Sequence, residues 1–196
     1  MPRVILSSKQ TVSDSVFLQP WIANIIRKEI QAKTYLPGNQ RLSIARLSRR
    51  DMDAPEISET ILNNYSHFAK VTKFFSVNNY KIFASIRDST YQILVEFTPQ
   101  CVLEFERVYR SRITSETVNC LFVIGDCTVI YKTRSQIRSS FPKFDLQSLA
   151  GEKNSNKNGF GLFPVLQINQ ASLFDSDQVQ LLFEFPFIYN KLHFTV

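Results

Sequence analysis

The stretch Ala84–Gly125, ASIRDSTYQILVEFTPQCVLEFERVYRSRITSETVNCLFVIG, limits what this chain can fold into more than any other part of it. Apolar residues alternate across Tyr91–Phe97, which puts Tyr91, Ile93, Val95 and Phe97 on one face of a strand. Asp88-Ser89 marks a turn before it. Thr98-Pro99 then supplies a helix N-cap and a first-turn proline, whose missing N–H is not needed there. Cys101, Val102, Phe105, Val108 and Tyr109 recur at helical spacing, and Leu121–Ile124 returns to strand. Strand, turn, strand, capped helix, polar connection, strand is the middle of a small β-barrel interrupted by one helix.

The flanks extend this pattern. Phe68–Val77 and Tyr80–Ile86 predict two paired strands around a turn at Asn78-Asn79, residues that tolerate positive φ. Val129–Tyr131 continues strand beyond Gly125-Asp126, a dipeptide that reads either as a tight hairpin turn or as a bulge bending one long strand. Ile22, Ile25, Ile26 and Ile30 predict a helix that starts near Pro20 and stops before Pro37-Gly38. Val4–Leu6 suits a short added strand, and residues 39–65 carry no assignable pattern. Thr133–Gly161, which includes GEKNSNKNGFG, reads as a long polar loop. Phe163–Ile168 is the last strand, and a short helix is expected near Asp175–Leu182 before FPFIYN.

The expected class is therefore mainly β with flanking helices: an OB-fold, a five-stranded Greek-key barrel, with an N-terminal helix, an inter-strand helix and a C-terminal helix. We expect one domain over 1–196. Residues 1–65 are its N-terminal extension with a helix, 66–132 the barrel strands and inter-strand helix, 133–161 the polar loop, and 162–196 the closing strand and C-terminal helix.

Catalytic constellations are missing. Glycines number only five, and there is no G-x-x-x-x-G-K-[ST], G-x-G-x-x-G or G-x-S-x-G. A triad would have to use His67 or His193, and Glu104 and Glu106, two apart on a helix, point to different faces. Cys101, Cys120 and Cys127 lack C-x-x-C spacing, so with two histidines they give no zinc set and suit a reducing compartment. No leader-like run opens the chain, and no segment reaches the ~20 apolar residues that span a bilayer. The expectation is no catalytic residue, no metal, no cofactor and no membrane. Seventeen phenylalanines fit a β-rich core, because Phe fills space without needing a hydrogen-bond partner.

A net charge of +6 and a pI near 9.3 raise the question of nucleic acid. The excess is spread evenly, however: three over residues 1–60, two over 61–132 and one over 133–196. Strong phosphate binding needs clustered cations. The weak candidates are Lys70 and Lys73 for phosphate, and Tyr80 and Phe83 among the strand aromatics for base stacking. Core packing and a solvated strand face account for the same residues. Trp21 reads equally as a core anchor or a docking residue. Glu106, Arg112, Glu116, Thr117 and Asn119 read as a solvated loop with Arg112 paired to Asp88 or Glu106. The functional reading of the same residues is a polar patch on a rigid corner, suited to a basic partner surface.

Several longer blocks carry a family resemblance. SDSVFLQPWI (13–22), HFAKVTKFF (67–75), YKIFASIRDS (80–89), QILVEF (92–97), FER (105–107), RITSETVNCL (112–121), INQA (168–171) and FDSDQV (174–179) stand in order along the chain. It resembles the small regulatory subunit of budding-yeast telomerase, the third of the "ever shorter telomeres" proteins, over most of its length except 23–62, 134–161 and the final KLHFTV. The resemblance implies an OB-fold related to the telomerase-recruiting OB domain of animal shelterin. It implies a non-catalytic regulatory subunit of the telomerase ribonucleoprotein, nuclear and at chromosome ends. The implied partners are the N-terminal domain of the reverse-transcriptase subunit, the large recruiting subunit and, indirectly, telomerase RNA. The alternative is direct binding of single-stranded telomeric DNA or RNA. The implied patch for telomerase association is Trp21, Lys73, Asp88, Glu106, Arg112, Glu116, Thr117, Asn119 and Asp177.

Overall fold

The computed structural model describes residues 14–39, 43–145, 161–182 and 184–190. In chain order these form α1 (Ile22–Gln31), β1 (Ser43–Ile44), α2 (Arg49–Asp53), α3 (Glu59–Leu62), β2 (Phe68–Asn78), β3 (Lys81–Arg87), β4 (Gln92–Phe97), α4 (Pro99–Tyr109), β5 (Leu121–Thr133), α5 (Arg134–Ser140) and β6 (Leu162–Asp175). Antiparallel pairs β2–β3 and β3–β4, the parallel pair β4–β6 and the antiparallel pairs β6–β5 and β5–β2 close a five-stranded barrel. With α4 between the third and fourth barrel strands, this is an OB-fold. β1 adds to the edge of β5.

Cross-strand register explains the core. Ile82 pairs with Phe97, Ala84 with Val95 and Ile86 with Ile93, an all-apolar set that turns inward. α4 closes the barrel with Cys101, Val102 and Phe105, whose ring lies 5.7 Å from that of Phe122. Thr98 caps this helix as expected, accepting from the Cys101 N–H. Val108, expected on the buried stripe, is exposed.

Two expectations on the strands are refined. The β2–β3 turn sits one residue later, at Asn79-Tyr80 with φ 50° and 60°, so that Asn78 pairs with Lys81. β5 runs straight through Gly125-Asp126. Gly125 opposes Gln170 and Cys127 opposes Ile168, so no residue is inserted against β6 and no hairpin forms. On its other edge β5 exchanges β2 for β1 at this point, with Asp126 at φ 46° donating its N–H to the Ala45 carbonyl.

Gly125 is needed for close approach. An added Cβ would lie 2.8 Å from both the Gln170 Oε1 and the Leu47 Cγ. The Gln170 amide there takes both backbone groups of Leu47, accepting from its N–H at 2.7 Å and donating to its carbonyl at 3.0 Å. Gly125→Ala is expected to destabilise the fold by about 2 kcal/mol, as overpacked cores do. Urea denaturation reads this as a lower midpoint at unchanged slope; an unmoved midpoint contradicts it.

α1 begins at Ile22, two residues after Pro20. Trp21 is its N-cap residue but supplies no capping side chain, and the first turn holds no acid. Residues 43–65, where no pattern could be read, form β1 and short helices, among them α2 with a Ser48–Asp51 capping box. The polar loop expected at 133–161 opens instead with α5, started by a Thr133–Gln136 capping box and held by buried Ile137. Residues 146–160, Val4–Leu6 and KLHFTV lie outside the described residues.

The helix expected near Asp175–Leu182 is absent. β6 extends to Asp175, 176–182 is irregular, and a 3₁₀ turn stands further on at Ile188–Asn190. The backbone carbonyls here serve the barrel. Asn119 donates to Gln178, Lys70 to Val179, the Gln92 side chain to Phe185 and the Gln92 N–H to Pro186. Carbonyls engaged in this way are not free to accept the bonds of a helix. This strap crosses the outer side of β2–β4, which is why every residue of β4 is buried.

Candidate functional site

The segment after α4 forms the corner on which the sequence concentrated its polar candidates. Arg110 ends the helix in the left-handed region at φ 53°, its N–H still bonded to the Glu106 carbonyl. The reversal brings Arg112 back, and its Nε lies 3.0 Å from the Glu106 Oε1. Arg112 is three-quarters exposed, so this pair contributes little to stability and leaves the guanidinium at the surface.

Next comes a 3₁₀ turn, Ser115–Thr117. The Thr117 hydroxyl accepts from the Thr114 N–H at 3.1 Å and donates to the Thr114 carbonyl at 2.8 Å. Thr117 is buried, and Glu116 beside it is exposed. Asn119 sits at φ 68°, its N–H bonded to the Val71 carbonyl at 2.7 Å and its side chain to the Gln178 carbonyl at 3.1 Å. One residue thereby ties the corner to β2 and to the strap. Asp177, next to Gln178, is exposed, its N–H held by Asp175. Lys73 is exposed on β2, its ammonium 5.1 Å from the centre of the Phe75 ring.

The nine patch candidates therefore divide. Lys73, Glu106, Arg112, Glu116, Asn119 and Asp177 present side chains along the corner, β2 and the strap. Trp21, Asp88 and Thr117 do not. Trp21 is buried, with its indole N–H on the Phe68 carbonyl at 2.9 Å. Asp88 is fully buried and caps α1 through its Oδ2, 2.8 Å from the N–H groups of both Trp21 and Ile22. Its Oδ1 holds the β3–β4 turn through Thr90 and Tyr91. These three residues shape the surface and offer no side chain to a partner.

The nucleic-acid candidates divide in the same way. Tyr80 is exposed at a hairpin tip and Lys73 on a strand. Phe83 is buried against Phe141, 5.4 Å between ring centres. Lys70 is 1% exposed and bonds to Asp14 at 3.2 Å, with Arg87 gripping the same carboxylate at 2.6 Å and 2.9 Å. Burial would raise the Asp14 carboxyl, but Arg87 and then Lys70 outweigh it and hold it below the ordinary range. Burial is the larger influence on Lys70 and lowers its ammonium below the usual value despite Asp14. The outer face of the second and third barrel strands, where OB-folds engage oligonucleotides, is here covered by the strap, α5 and Phe144.

The remaining titratable groups have structural settings. His67 is buried with Nδ1 2.7 Å from the Ile124 carbonyl, and burial pushes its imidazole below the usual range. Burial also raises the thiols of Cys101 and Cys127. Glu96 is paired with Lys132 at 2.9 Å and accepts from Gln167 at 2.8 Å. Among the described residues no group of three His, Cys, Asp or Glu is placed to hold a metal, and no helix is long and apolar enough to cross a membrane.

Asp14 and the strap escaped the sequence reading. FPFIYN has no periodicity, so nothing in its sequence places it across the barrel.

Comparison with known proteins gives a consistent picture. The family model described as "Shelterin complex subunit, TPP1/ACD" matches residues 18–190. The chain is 40% identical over 196 residues to a telomere replication protein EST3 of Candida glabrata, covering 98% of this chain and all of that one. It is 35% identical over 195 residues to the protein of the same name in Kluyveromyces lactis, with 98% and 100% covered. In fold it is similar to the Est3 telomerase subunit of the yeast Hansenula polymorpha, with a TM-score of 0.57 and 18% identity over 99% of this chain and 92% of that one.

Proposed function

The chain belongs to the Est3 family of telomere replication proteins within the TPP1/ACD group, and on that premise we propose that it is a non-catalytic telomerase subunit that docks through its polar corner. Its place of action is the nucleus, at chromosome ends. The partner is the N-terminal domain of the reverse-transcriptase subunit, with the large recruiting subunit assisting and telomerase RNA engaged indirectly.

One observation carries this reading. Glu116 and Asn119 stand on backbone fixed by the Thr114–Thr117 bonds and by Val71, and the Asn119 amide is held on the Gln178 carbonyl, so the corner is shaped before any partner arrives. Ordered polar groups on a rigid corner lose little entropy on binding and give specificity by matching a partner's charges. The covered oligonucleotide face favours protein docking over direct binding of telomeric strands in this conformation.

The test is co-purification with the reverse-transcriptase N-terminal domain, with and without the recruiting subunit. Glu116→Ala combined with Asn119→Gly removes both side chains while keeping a residue that accepts φ 68°. Two interface hot spots at roughly 2 kcal/mol each predict a loss of affinity of about 1,000-fold. A double variant that melts normally and binds as before sinks the patch assignment.

A further inference from the structure

Val108 continues the apolar stripe of α4 past the barrel core and stands exposed beside buried Cys101 and Phe105. It lines a groove of about 660 Å³ between α2 and α4, floored by the later part of β6. Met52, Phe105, Val108 and Ala171 supply its apolar surface. The polar side chains of the floor are already satisfied within the chain. The Tyr109 hydroxyl accepts from the Leu173 N–H at 3.0 Å and shares a hydrogen bond with the Ser172 hydroxyl at 2.6 Å, which donates to the Met52 carbonyl at 3.1 Å. The Gln170 amide is spent on Leu47, and Asn169 donates to the Asp126 carbonyl at 3.0 Å. The centre of the groove therefore calls for apolar side chains and no hydrogen-bonding group.

The two lips differ in charge. Arg46 and Arg49 stand on the α2 side and Glu104 on α4. Arg107 holds the Glu104 carboxyl below the ordinary range, and Arg49 adds to this from across the groove. Each of the three has a largely exposed partner pair within the chain: Arg46 with Asp126 at 2.7 Å, Arg49 with Asp53 at 3.8 Å and Glu104 with Arg107 at 3.1 Å. Pairs of this kind contribute little to stability, so exchanging them for a partner's charges costs little. Helical spacing turns Glu104 and Val108 to the groove and Glu106 to the opposite side of α4, so the groove and the docking corner are separate faces.

From this arrangement we propose that the α2–α4 groove receives an amphipathic helix of a protein partner. Aliphatic residues at helical spacing meet the floor, an acidic flank meets Arg46 and Arg49, and a basic flank meets Glu104. The volume lies within the ~300–1,000 Å³ of pockets that enclose compact ligands, enough for the few large side chains of one helix face. A helix with a single sign of charge would leave one lip facing its own kind. The proposal does not rest on the docking corner, and the two fail independently.

The experiment titrates the full chain with three fluorescent helical peptides that share one leucine stripe. One carries a glutamate flank and a lysine flank, one has glutamate on both flanks, and one has lysine on both. The mixed peptide is expected to bind with a micromolar Kd, at least about tenfold more tightly than the other two, and the difference should shrink as salt is added. Val108→Glu sets a charge against the leucine stripe from a position that is already exposed, and should weaken the mixed peptide at least about tenfold while the chain melts normally. Glu104→Lys makes both lips basic and should move the preference to the all-glutamate peptide, a reversal that damage to the fold does not produce. Equal binding of the three peptides, binding that ignores both substitutions, or no binding at all overturns the proposal. So does self-association of the chain that Val108→Glu abolishes in sedimentation, because the occupant is then a second copy.

Discussion

Asp88→Ala is expected to remove about 4 kcal/mol of folding stability, a large fraction of the roughly 5–15 kcal/mol available to a domain. The carboxylate is fully buried and accepts five hydrogen bonds, two from the first N–H groups of α1 and three from Thr90 and Tyr91 in the β3–β4 turn. Each donor left without a partner costs about 1–3 kcal/mol where water cannot reach it. The helix also loses the anion that complements its positive end. Asp88→Asn separates the two roles. Its oxygen can keep the turn, but its NH₂ then faces the N–H groups of Trp21 and Ile22, so the helix end stays unsatisfied. Urea unfolding gives the size of both losses. Trp21 is the single tryptophan and reports on this end of α1 through its emission. If Asp88→Ala unfolds at the same urea concentration as the unsubstituted chain, the capping account is wrong. Loss of telomerase association in an Asp88 or Trp21 variant must accordingly be read as damage to the fold, whereas loss in a melting-normal Glu116 variant reports docking.

The same residue shows where the sequence stops being legible. α4 could be placed because its signals are local: Thr98 caps, Pro99 opens and the apolar residues recur within eleven positions. α1 carries an equally clear isoleucine stripe, but its true start depends on a cap 66 residues away, which no local window contains. The barrel order was readable because alternation and turns are short-range. The strap was not, since its carbonyls answer donors on β2, β4 and the corner. A helix at Asp175–Leu182 is a fair local expectation that tertiary hydrogen bonds override. Within the candidate site, residue type picked out the polar corner, but only burial divides Glu116 from Thr117 beside it. α5 was hidden for another reason. Its Thr133–Gln136 cap was there to read, yet one turn of apolar residues in a long polar stretch gave periodicity little to work on.

Tyr189→Phe is expected to cost about 2–4 kcal/mol, although it removes a single oxygen. The hydroxyl donates to the Pro164 carbonyl at 2.7 Å and accepts from the Leu94 N–H at 3.1 Å. Regular parallel pairing of β4 with β6 spans only Val95–Phe97 against Leu166–Ile168. Just before it the strands are bridged by this hydroxyl, and Pro164 has no N–H of its own to offer a ladder. Tyr189 is almost wholly buried, and burial raises its phenol above the usual value, so it remains a neutral donor throughout the ordinary pH range. Phenylalanine keeps the packing against Phe163 and Phe187 but strands one buried donor and one buried acceptor. Hydrogen exchange distinguishes this from a general loss of stability. The Leu94 amide should exchange faster than the fall in global stability explains, because its own bond is gone, while amides of the β2–β3 ladder should track the global value. If Leu94 stays as protected as those amides, water or another group replaces the hydroxyl, and Tyr189 contributes through its aromatic packing alone.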